Sequence, residues 1–159
     1  MKFFGDDSND EKIEMLKRIP IFHELTRKEI LEVDEHLHDR TYEKDEVVFE
    51  ENDPGHGIFI VLSGKLRVLP THDSLKSVVL EIGPGDLVGE LALFDEAPRT
   101  ATVVAVERTV TVALFQAELT ALLTKNKSIG VKVLVELARI LSRRARQLLG
   151  HRQEYSKSL

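Results

Sequence analysis

The segment from residue 83 to residue 102 combines residue types that could bind an anion attached to a sugar. Gly89 would let a ligand approach the backbone closely, and the first amides of a turn beginning near Glu90 would be unpaired donors with a dipole that favours an anion. Arg99 stands just before the next predicted strand, where its guanidinium could bind two phosphate oxygens in a bidentate fork. This pattern predicts a phosphate-binding loop.

Glu90 distinguishes this loop from a simple anion site. A carboxylate beside an anion is favourable when it accepts hydrogen bonds from hydroxyls of the ligand, and the 2′-OH of a ribose is such a donor. The simpler hypothesis is an ion pair between Glu90 and Arg99 on a surface turn. The combination of glycine, acceptor, apolar turn and arginine in one short loop between strands favours the ligand site.

The periodicity around this loop predicts the elements that hold it. A helix is expected over residues 10–18, and a capping box formed by Thr26 and Glu29 starts a second helix that ends near His38. Short β-branched runs separated by turn signals predict strands at 47–49, 58–62, 66–68, 77–82, 100–106 and 109–115. These strands are expected to form an antiparallel β-roll or jelly-roll barrel.

After Phe115 the pattern is helical again, and Gly150 is expected to close a long final helix. The predicted fold class is mainly β with flanking helices (α+β), with helices at the N-terminus and one long helix at the C-terminus. It forms a single domain over 1–159, with a core over 12–126, a signalling or dimerisation helix over 127–149 and a tail over 150–159. A leucine stripe on that helix either packs against the barrel or forms a parallel dimer seam: Leu134, Leu137, Leu141 and Leu148.

The composition excludes several classes of function. Lys and Arg number 22 against 27 Asp and Glu, and the net charge of −5 argues against broad binding to nucleic acid or anionic membranes. No cysteine is present, so disulfides and thiolate metal sites are excluded. No apolar run could span a membrane and no signal peptide precedes the domain, so a cytoplasmic protein is expected. His36 and His38 cannot face one metal from a helix, and no nucleophile has a base beside it, so neither a metal site nor an enzyme is expected.

The loop also resembles a known family. The run from Gly89 to Leu93, six residues ahead of the run from Arg99 to Thr102, is similar to the phosphate-binding cassette of cyclic nucleotide-binding domains. Regulatory subunits of cAMP-dependent kinase and Crp/Fnr regulators contain such domains. Four further segments match the family's spacing, at 21–22, 53–55, 58–64 and 83–86, and the resemblance covers residues 12–149.

The resemblance implies a role for each residue of the cassette. Glu90 would accept from the ribose 2′-OH, the amides of Leu91 and Ala92 would face the cyclic phosphate, and Arg99 would pair with the exocyclic oxygens. Ala101 would offer its backbone to the phosphate, and Leu91 with Val79 would wall the sugar and base. Weaker candidates for the same site are Val88 and Arg144.

Three positions depart from the usual pattern. Asn52 replaces a glycine that many members have in a turn with positive φ, which asparagine tolerates. Thr100 follows the arginine, where domains selective for cGMP often have threonine. Arg144 and Ala145 stand where Crp-type regulators present hydroxyls to adenine, so Arg144 would stack on the base or lie in solvent. The expected ligand is cAMP, with cGMP, another nucleotide or none as alternatives.

The resemblance therefore implies a non-enzymatic cyclic nucleotide receptor that acts through its C-terminal helix on a partner protein or a second copy. A ligand-free interaction module is an alternative, which unpaired Glu90 and Arg99 side chains would disfavour. The sensory part of a larger transcription factor or kinase is another. Crp-type factors continue into a winged helix-turn-helix and this sequence stops before one, so no DNA binding is expected from it.

Overall fold

The N-terminal part of the chain folds into two helices joined by a short 3₁₀ turn. The computed structural model describes the backbone of residues 6–69 and 80–157 and the side chains of residues 9–69 and 80–150. Helix α1 spans Asp6–Lys17, the 3₁₀ turn spans Pro20–Phe22, and α2 spans Arg27–Asp34. The capping box of α2 is confirmed, because the Thr26 hydroxyl accepts from the Glu29 amide at 3.3 Å and the Glu29 carboxylate accepts from the Thr26 amide at 2.8 Å.

Among the described residues, eight antiparallel strands follow and form two four-stranded sheets, so the predicted fold class is confirmed. The strands are β1 His38–Tyr42, β2 Val47–Phe49, β3 Gly57–Ser63, β4 Leu66–Val68, β5 Leu80–Ile82, β6 Leu87–Val88, β7 Val103–Ala105 and β8 Thr109–Phe115. The first sheet has the order β1-β8-β3-β6, and the second has the order β2-β7-β4-β5. A short helix α3, Leu91–Phe94, lies between β6 and β7.

The predicted bounds of the first two helices were wrong, and the strand that follows them was not predicted. Helix α1 begins at Asp6, four residues before its predicted start, and α2 ends at Asp34 because His38 already pairs with Ala113 of β8 as the first residue of β1. Strand β1 has the sequence HDRTY, whose polar residues hide it from a search for β-branched runs. The run predicted over 77–82 is described only at β5, since residues 77–79 lie outside the described part of the chain.

Strand β3 joins the two hydrophobic cores of the domain. Its residues 57–62 are all buried, and their side chains alternate between the two faces of the sheet. Ile58 and Ile60 pack into the core shared with the helices, whereas Phe59 and Val61 pack into the core between the sheets. Strand β6, which leads into the cassette, pairs with this strand. The cassette therefore starts beside a strand that is buried on both faces.

The C-terminal helices pack against the first of these cores. Helix α4 spans Gln116–Lys125, and α5 spans Lys127–Lys157. The prediction that α5 ends at Gly150 was wrong, because the helix continues to Lys157: a helical glycine costs about 1 kcal/mol and does not by itself end a helix. Among the described residues, no helix combines the length and the apolar character needed to cross a membrane.

The leucine stripe of α5 is buried in the first half of the helix and exposed near its end. Ile129, Val133 and Leu137 are completely buried in the core that the helices share with the barrel. Leu148 is 71% exposed, and Leu134 is only partly buried. Core packing, one of the two hypotheses for the stripe, therefore holds for Leu137, whereas Leu148 lies on the same side of the helix three turns later and is exposed.

A buried ion cluster holds α1, α2 and β1 together. Lys12 of α1 is 5% exposed, and its ammonium lies 2.5 Å from Asp34 Oδ1 and 2.7 Å from Asp39 Oδ1. Burial acts to lower the pKa of Lys12, but hydrogen bonds to Asp34 and Asp39 outweigh it and hold the pKa above its ordinary value. The cluster thus contributes stability that is present below the ordinary lysine pKa and is lost as the pH rises through the raised one.

Replacing Lys12 by methionine will leave two neighbouring carboxylates buried without their cation. We expect the free energy of unfolding at pH 7 to fall by about 3–5 kcal/mol, as is typical when a buried ion pair loses one partner. Urea denaturation followed by circular dichroism measures this change. The difference in free energy of unfolding between the variant and wild type should become smaller above pH 10.5. Lys17→Met, at an exposed position of the same helix, is the matched control. A loss for Lys12→Met no larger than for Lys17→Met would contradict the expectation.

Candidate functional site

Arg99 lies between α3 and β7 and is held there by the turn that follows β2. Its amide donates to the Asp53 carbonyl at 2.8 Å, and its carbonyl accepts from the Asn52 amide at 2.8 Å. Asn52 adopts a φ of 70°, so the predicted left-handed conformation of this turn is confirmed. The turn fixes the point from which the Arg99 side chain enters the barrel.

The Arg99 side chain is buried between the two sheets, with 6% of the residue exposed. Its guanidinium carbon lies 4.1 Å from the centre of the Phe49 ring and 5.9 Å from that of Phe59. Nη1 donates to the Gly89 carbonyl at 3.1 Å, whereas Nε is buried without a hydrogen-bond partner. Burial lowers the pKa of Arg99 from its ordinary value, yet a guanidinium in a protein stays charged.

Two glycines leave the space that the guanidinium occupies. Gly89 has a φ of +86°, and a Cβ on it would collide with Nη1 of Arg99. A Cβ on Gly55 would lie 2.5 Å from Nε of Arg99 and 2.8 Å from Cβ of Ala92. Sequence reasoning assigned Gly55 to a turn and Phe49 to a strand, and placed neither residue at the site. The repeated glycines and the aromatic residue near the end of β2 were the available signals.

Two backbone amides of α3 already donate hydrogen bonds within the protein. The Ala92 amide donates to the Gly89 carbonyl at 3.2 Å, and the Leu93 amide donates to the Glu90 carbonyl at 3.2 Å. The expected role of the Ala92 amide as a free donor to an anion therefore requires a small change in this turn. Leu91 is 56% exposed at the cavity rim, whereas Leu93 is buried in the helical core.

Glu90 is paired, but with a residue that the surface-turn hypothesis did not consider. Nη1 of Arg144, on α5, donates to Glu90 Oε1, and Nη2 of Arg144 donates to the Leu87 carbonyl at 2.6 Å. Among the described residues, Arg99 forms no ion pair with a carboxylate. The pairing of Glu90 with Arg99 was wrong, and so was the expectation of a Glu90 without a partner. The distance of 54 residues between the partners hid this contact from sequence reasoning.

These groups line an open cavity of about 170 Å³ between the two sheets and α5. Every described residue that the sequence assigned to the ligand lies on its wall: Gly89, Glu90, Leu91, Ala92, Arg99, Thr100, Ala101, Val88 and Arg144. Val79 lies outside the described residues. Phe49, Val68, Leu80 and Ile82 add an apolar side that sequence reasoning did not name.

The cavity wall can bind a small anion that carries hydroxyls and an apolar ring. Arg99 and Arg144 contribute two positive charges and Glu90 one negative charge, so the described charged groups of the wall have a net charge of +1. Apolar side chains from both sheets offer a surface for a flat ring. The described wall contains no cysteine, serine or histidine that could act as a nucleophile or base.

A second cluster of potential ligands lies where the residues after the 3₁₀ turn meet α5. Among the described residues, His23, Glu24 and Glu136 bring three potential metal-ligating atoms within 4.8 Å of one another. His23 Nδ1 lies 2.6 Å from the Pro20 carbonyl and 3.8 Å from Glu136 Oε2, and the buried Glu136 also accepts from Arg139. The side chains of His23 and Glu136 are therefore already engaged in contacts within the protein.

Comparisons with known proteins identify the family of this chain. The sequence model of the cyclic nucleotide-binding domain matches residues 39–126, just over half of the chain and the part that contains the cassette. The Cyclic AMP receptor protein of Thermus thermophilus is 34% identical over 133 residues, which are 83% of this chain and 60% of that protein. The cAMP-dependent protein kinase regulatory subunit of Mycosarcoma maydis is 33% identical over 141 residues, 89% of this chain and 25% of that one.

Solved structures show the same architecture. A cyclic nucleotide-binding domain from Methylobacillus flagellatus superposes with a TM-score of 0.76 at 27% identity, covering 91% of this chain and 83% of that one. The Thermus thermophilus catabolite activator protein has a TM-score of 0.76 at 34% identity, over 86% of this chain and 63% of that one. The chain spans 60% and 25% of the lengths of the two sequence relatives, which is less than two thirds of each. It belongs to the cyclic nucleotide-binding domain family.

Proposed function

We propose that this chain is a receptor for a cyclic nucleotide, with cAMP as its preferred ligand, and that it performs no chemistry on it. Arg99 binds the cyclic phosphate and Glu90 accepts a hydrogen bond from the ribose 2′-OH. The observation that carries the proposal is the buried guanidinium of Arg99, which borders the cavity with no carboxylate paired to it among the described residues.

The buried charge of Arg99 favours an anionic ligand. A buried cation without a counterion is unfavourable unless an anion or further hydrogen bonds compensate its lost hydration. The stacking on Phe49 and the single bond to the Gly89 carbonyl compensate only part of this loss, and Nε has no partner. The single negative charge of a cyclic phosphate is the complement that this position lacks.

The rest of the cavity suits the other parts of a nucleotide. Ala101 contributes backbone beside the phosphate, while Leu91, Val88 and the strand residues of both sheets pack on the sugar and base. Val79, which lies outside the described residues, is proposed to pack on the sugar and base as well.

The preference for cAMP is supported by the relatives. The Thermus and Mycosarcoma proteins carry cyclic AMP in their names. The regulatory domain of Toxoplasma gondii PKA, 30% identical with a TM-score of 0.63, was crystallised with cAMP. Thr100, exposed at the cavity rim, is the feature that favours cGMP as a second ligand.

Transmission through α5 is the second part of the proposal. The outer face of α5 exposes apolar residues at helical spacing, with Val131 53%, Val135 43% and Leu149 60% exposed. Such a face would be covered by the same helix of a second copy or by a partner protein. The receptor is proposed to act in the cytoplasm as a homodimer or a partner complex that responds to the nucleotide.

Replacing Arg99 by alanine will remove the cation that compensates the phosphate. We expect cAMP affinity to fall roughly 30- to 3000-fold, which corresponds to the about 2–5 kcal/mol that truncating one partner of a buried charge pair costs. Isothermal titration measures this loss. Arg108→Ala, which removes the same charge from a mostly exposed side chain, should bind as wild type. Wild-type protein that binds no cyclic nucleotide, or an Arg99→Ala variant that binds equally well, would overturn the proposed function.

Replacing Thr100 by alanine will test the origin of nucleotide preference. We expect cGMP affinity to fall several-fold while cAMP affinity changes by less than about twofold, since only a guanine amino group would lose a hydroxyl partner. Competition titrations with both nucleotides measure the ratio. Thr120→Ala on α4, whose hydroxyl bonds the Gln116 carbonyl, is the matched control. A parallel loss for both nucleotides would contradict a role for Thr100 in base preference.

Replacing Leu149 by glutamate will place a charge on the outer face of α5. We expect the assembly measured by analytical ultracentrifugation to dissociate to monomers, because a buried apolar seam does not accommodate an unpaired charge. Gln147→Glu adds the same charge at an exposed position on the other side of the helix and should leave the assembly intact. A wild-type chain that stays monomeric at high concentration, with and without cAMP, would contradict the dimer.

A further inference from the structure

Arg144 reaches the candidate site from α5 and contacts one side chain and one backbone carbonyl there. It lies on the second half of α5, and its side chain is 32% exposed. Nη1 donates to Glu90 Oε1, while Nη2 donates to the Leu87 carbonyl at 2.6 Å. The guanidinium therefore ties α5 both to β6 and to the one carboxylate on the cavity wall.

The contact to the Leu87 carbonyl limits how the guanidinium can be oriented. A guanidinium is planar and directs its N–H groups in a rigid fork. With Nη2 held by a backbone atom of β6, Nη1 presents a fixed donor to the Glu90 side chain. Glu90 is 14% exposed at its side chain, so this donor determines the rotamer of a carboxylate that has little room to move.

The pairing leaves acceptor capacity on Glu90. An ionised carboxylate has two oxygens and about four lone-pair sites, and Arg144 occupies Oε1. Oε2 remains as an acceptor for a hydroxyl that enters the cavity. The same pair offsets the negative charge of Glu90, which would otherwise repel a phosphate bound at Arg99.

We propose that Arg144 is a positioning residue for the ribose contact. It orients and neutralises the Glu90 carboxylate so that Oε2 can accept from the 2′-OH, and it does not itself contact the nucleotide. This inference rests on the proposed function and identifies how α5 takes part in it: the ribose contact is formed fully only when α5 lies against the barrel. It replaces the sequence-based hypothesis that Arg144 stacks on the base or lies in solvent.

A competing role for Arg144 predicts the opposite behaviour. If Arg144 occupied the place of the sugar hydroxyl, the nucleotide would have to displace it from Glu90, and removing Arg144 would strengthen binding. If Arg144 stacked on the base, its removal would weaken binding of every nucleotide with that base, whatever the sugar. The sugar hydroxyl thus separates the three roles.

The experiment compares cAMP with 2′-deoxy-cAMP on the wild-type chain and on Arg144→Ala by isothermal titration. In wild type we expect the loss of the 2′-OH to weaken binding roughly tenfold. Arg144→Ala should weaken cAMP binding roughly three- to tenfold and reduce the penalty for the missing 2′-OH to less than about threefold, because a disordered Glu90 no longer distinguishes the two sugars. Arg143→Ala, an exposed neighbour on the same helix, should reproduce the wild-type values.

A second variant guards against a purely structural effect. Arg144→Lys keeps the charge but cannot bridge Glu90 and Leu87 with a planar fork, so it should recover part of the cAMP affinity and only part of the sugar discrimination. Thermal unfolding of the unliganded variants by circular dichroism confirms that each is folded.

Each outcome decides between the roles. Tighter binding of both ligands to Arg144→Ala would make Arg144 a displaced occupant, and an equal loss for both ligands would make it a base contact or a structural residue; either result overturns this inference alone. A wild-type chain that binds neither ligand overturns the proposed function, and the inference with it. A reduced sugar discrimination in Arg144→Ala, with Arg143→Ala unchanged, supports the positioning role.

Discussion

The burial of the Arg99 guanidinium between two sheets is the interaction on which the rest of the cassette depends. A guanidinium is wide and permanently charged, so the surrounding loop has to leave space for it. Gly89 and Gly55 leave that space because neither carries a Cβ that would collide with it. Phe49 supplies a ring face in place of water, and the Gly89 carbonyl supplies one acceptor. A glycine and an aromatic residue far apart in the sequence are thus constrained by one side chain.

Keeping a poorly compensated cation in the interior lowers the stability of the unliganded fold. The domain offsets this with rigid surroundings: β3 is buried on both faces, and the turn at Asn52 and Asp53 bonds both backbone groups of Arg99. An anion that enters the cavity would relieve the unfavourable charge without moving the scaffold far. Binding energy is then available for specificity, since the site is largely preorganised.

Sequence reasoning predicted local features well and contacts between distant residues poorly. The capping box of α2, the left-handed Asn52 and most strands follow from short patterns whose physics is local. Strand β1 was missed because its stability comes from pairing with β8, which begins about 70 residues later. The Glu90–Arg144 pair and the stacking of Arg99 on Phe49 were missed for the same reason: each joins residues that only the closed barrel brings together. Gly150 shows the opposite case: the local pattern predicted a helix end, but the residues on both sides of Gly150 are helical.

The two halves of α5 have different attachments, and this difference limits how strongly the site and the helix are coupled. The first half is anchored in the core by Ile129, Val133 and Leu137, so it cannot leave the barrel without exposing a large apolar area. Among the described contacts of the second half, the polar tie to the barrel is Arg144. A partly exposed ion pair contributes about 1 kcal/mol, so one such tie changes the docking equilibrium of a single chain only about fivefold. A ligand shifts an equilibrium by no more than its differential affinity for the two states. In a single chain the response of α5 would therefore be graded. If a second copy packed on the outer face, the Arg144 contacts of both copies would depend on the same interface. The docking of α5 would then respond more steeply to the nucleotide, without any change in the site.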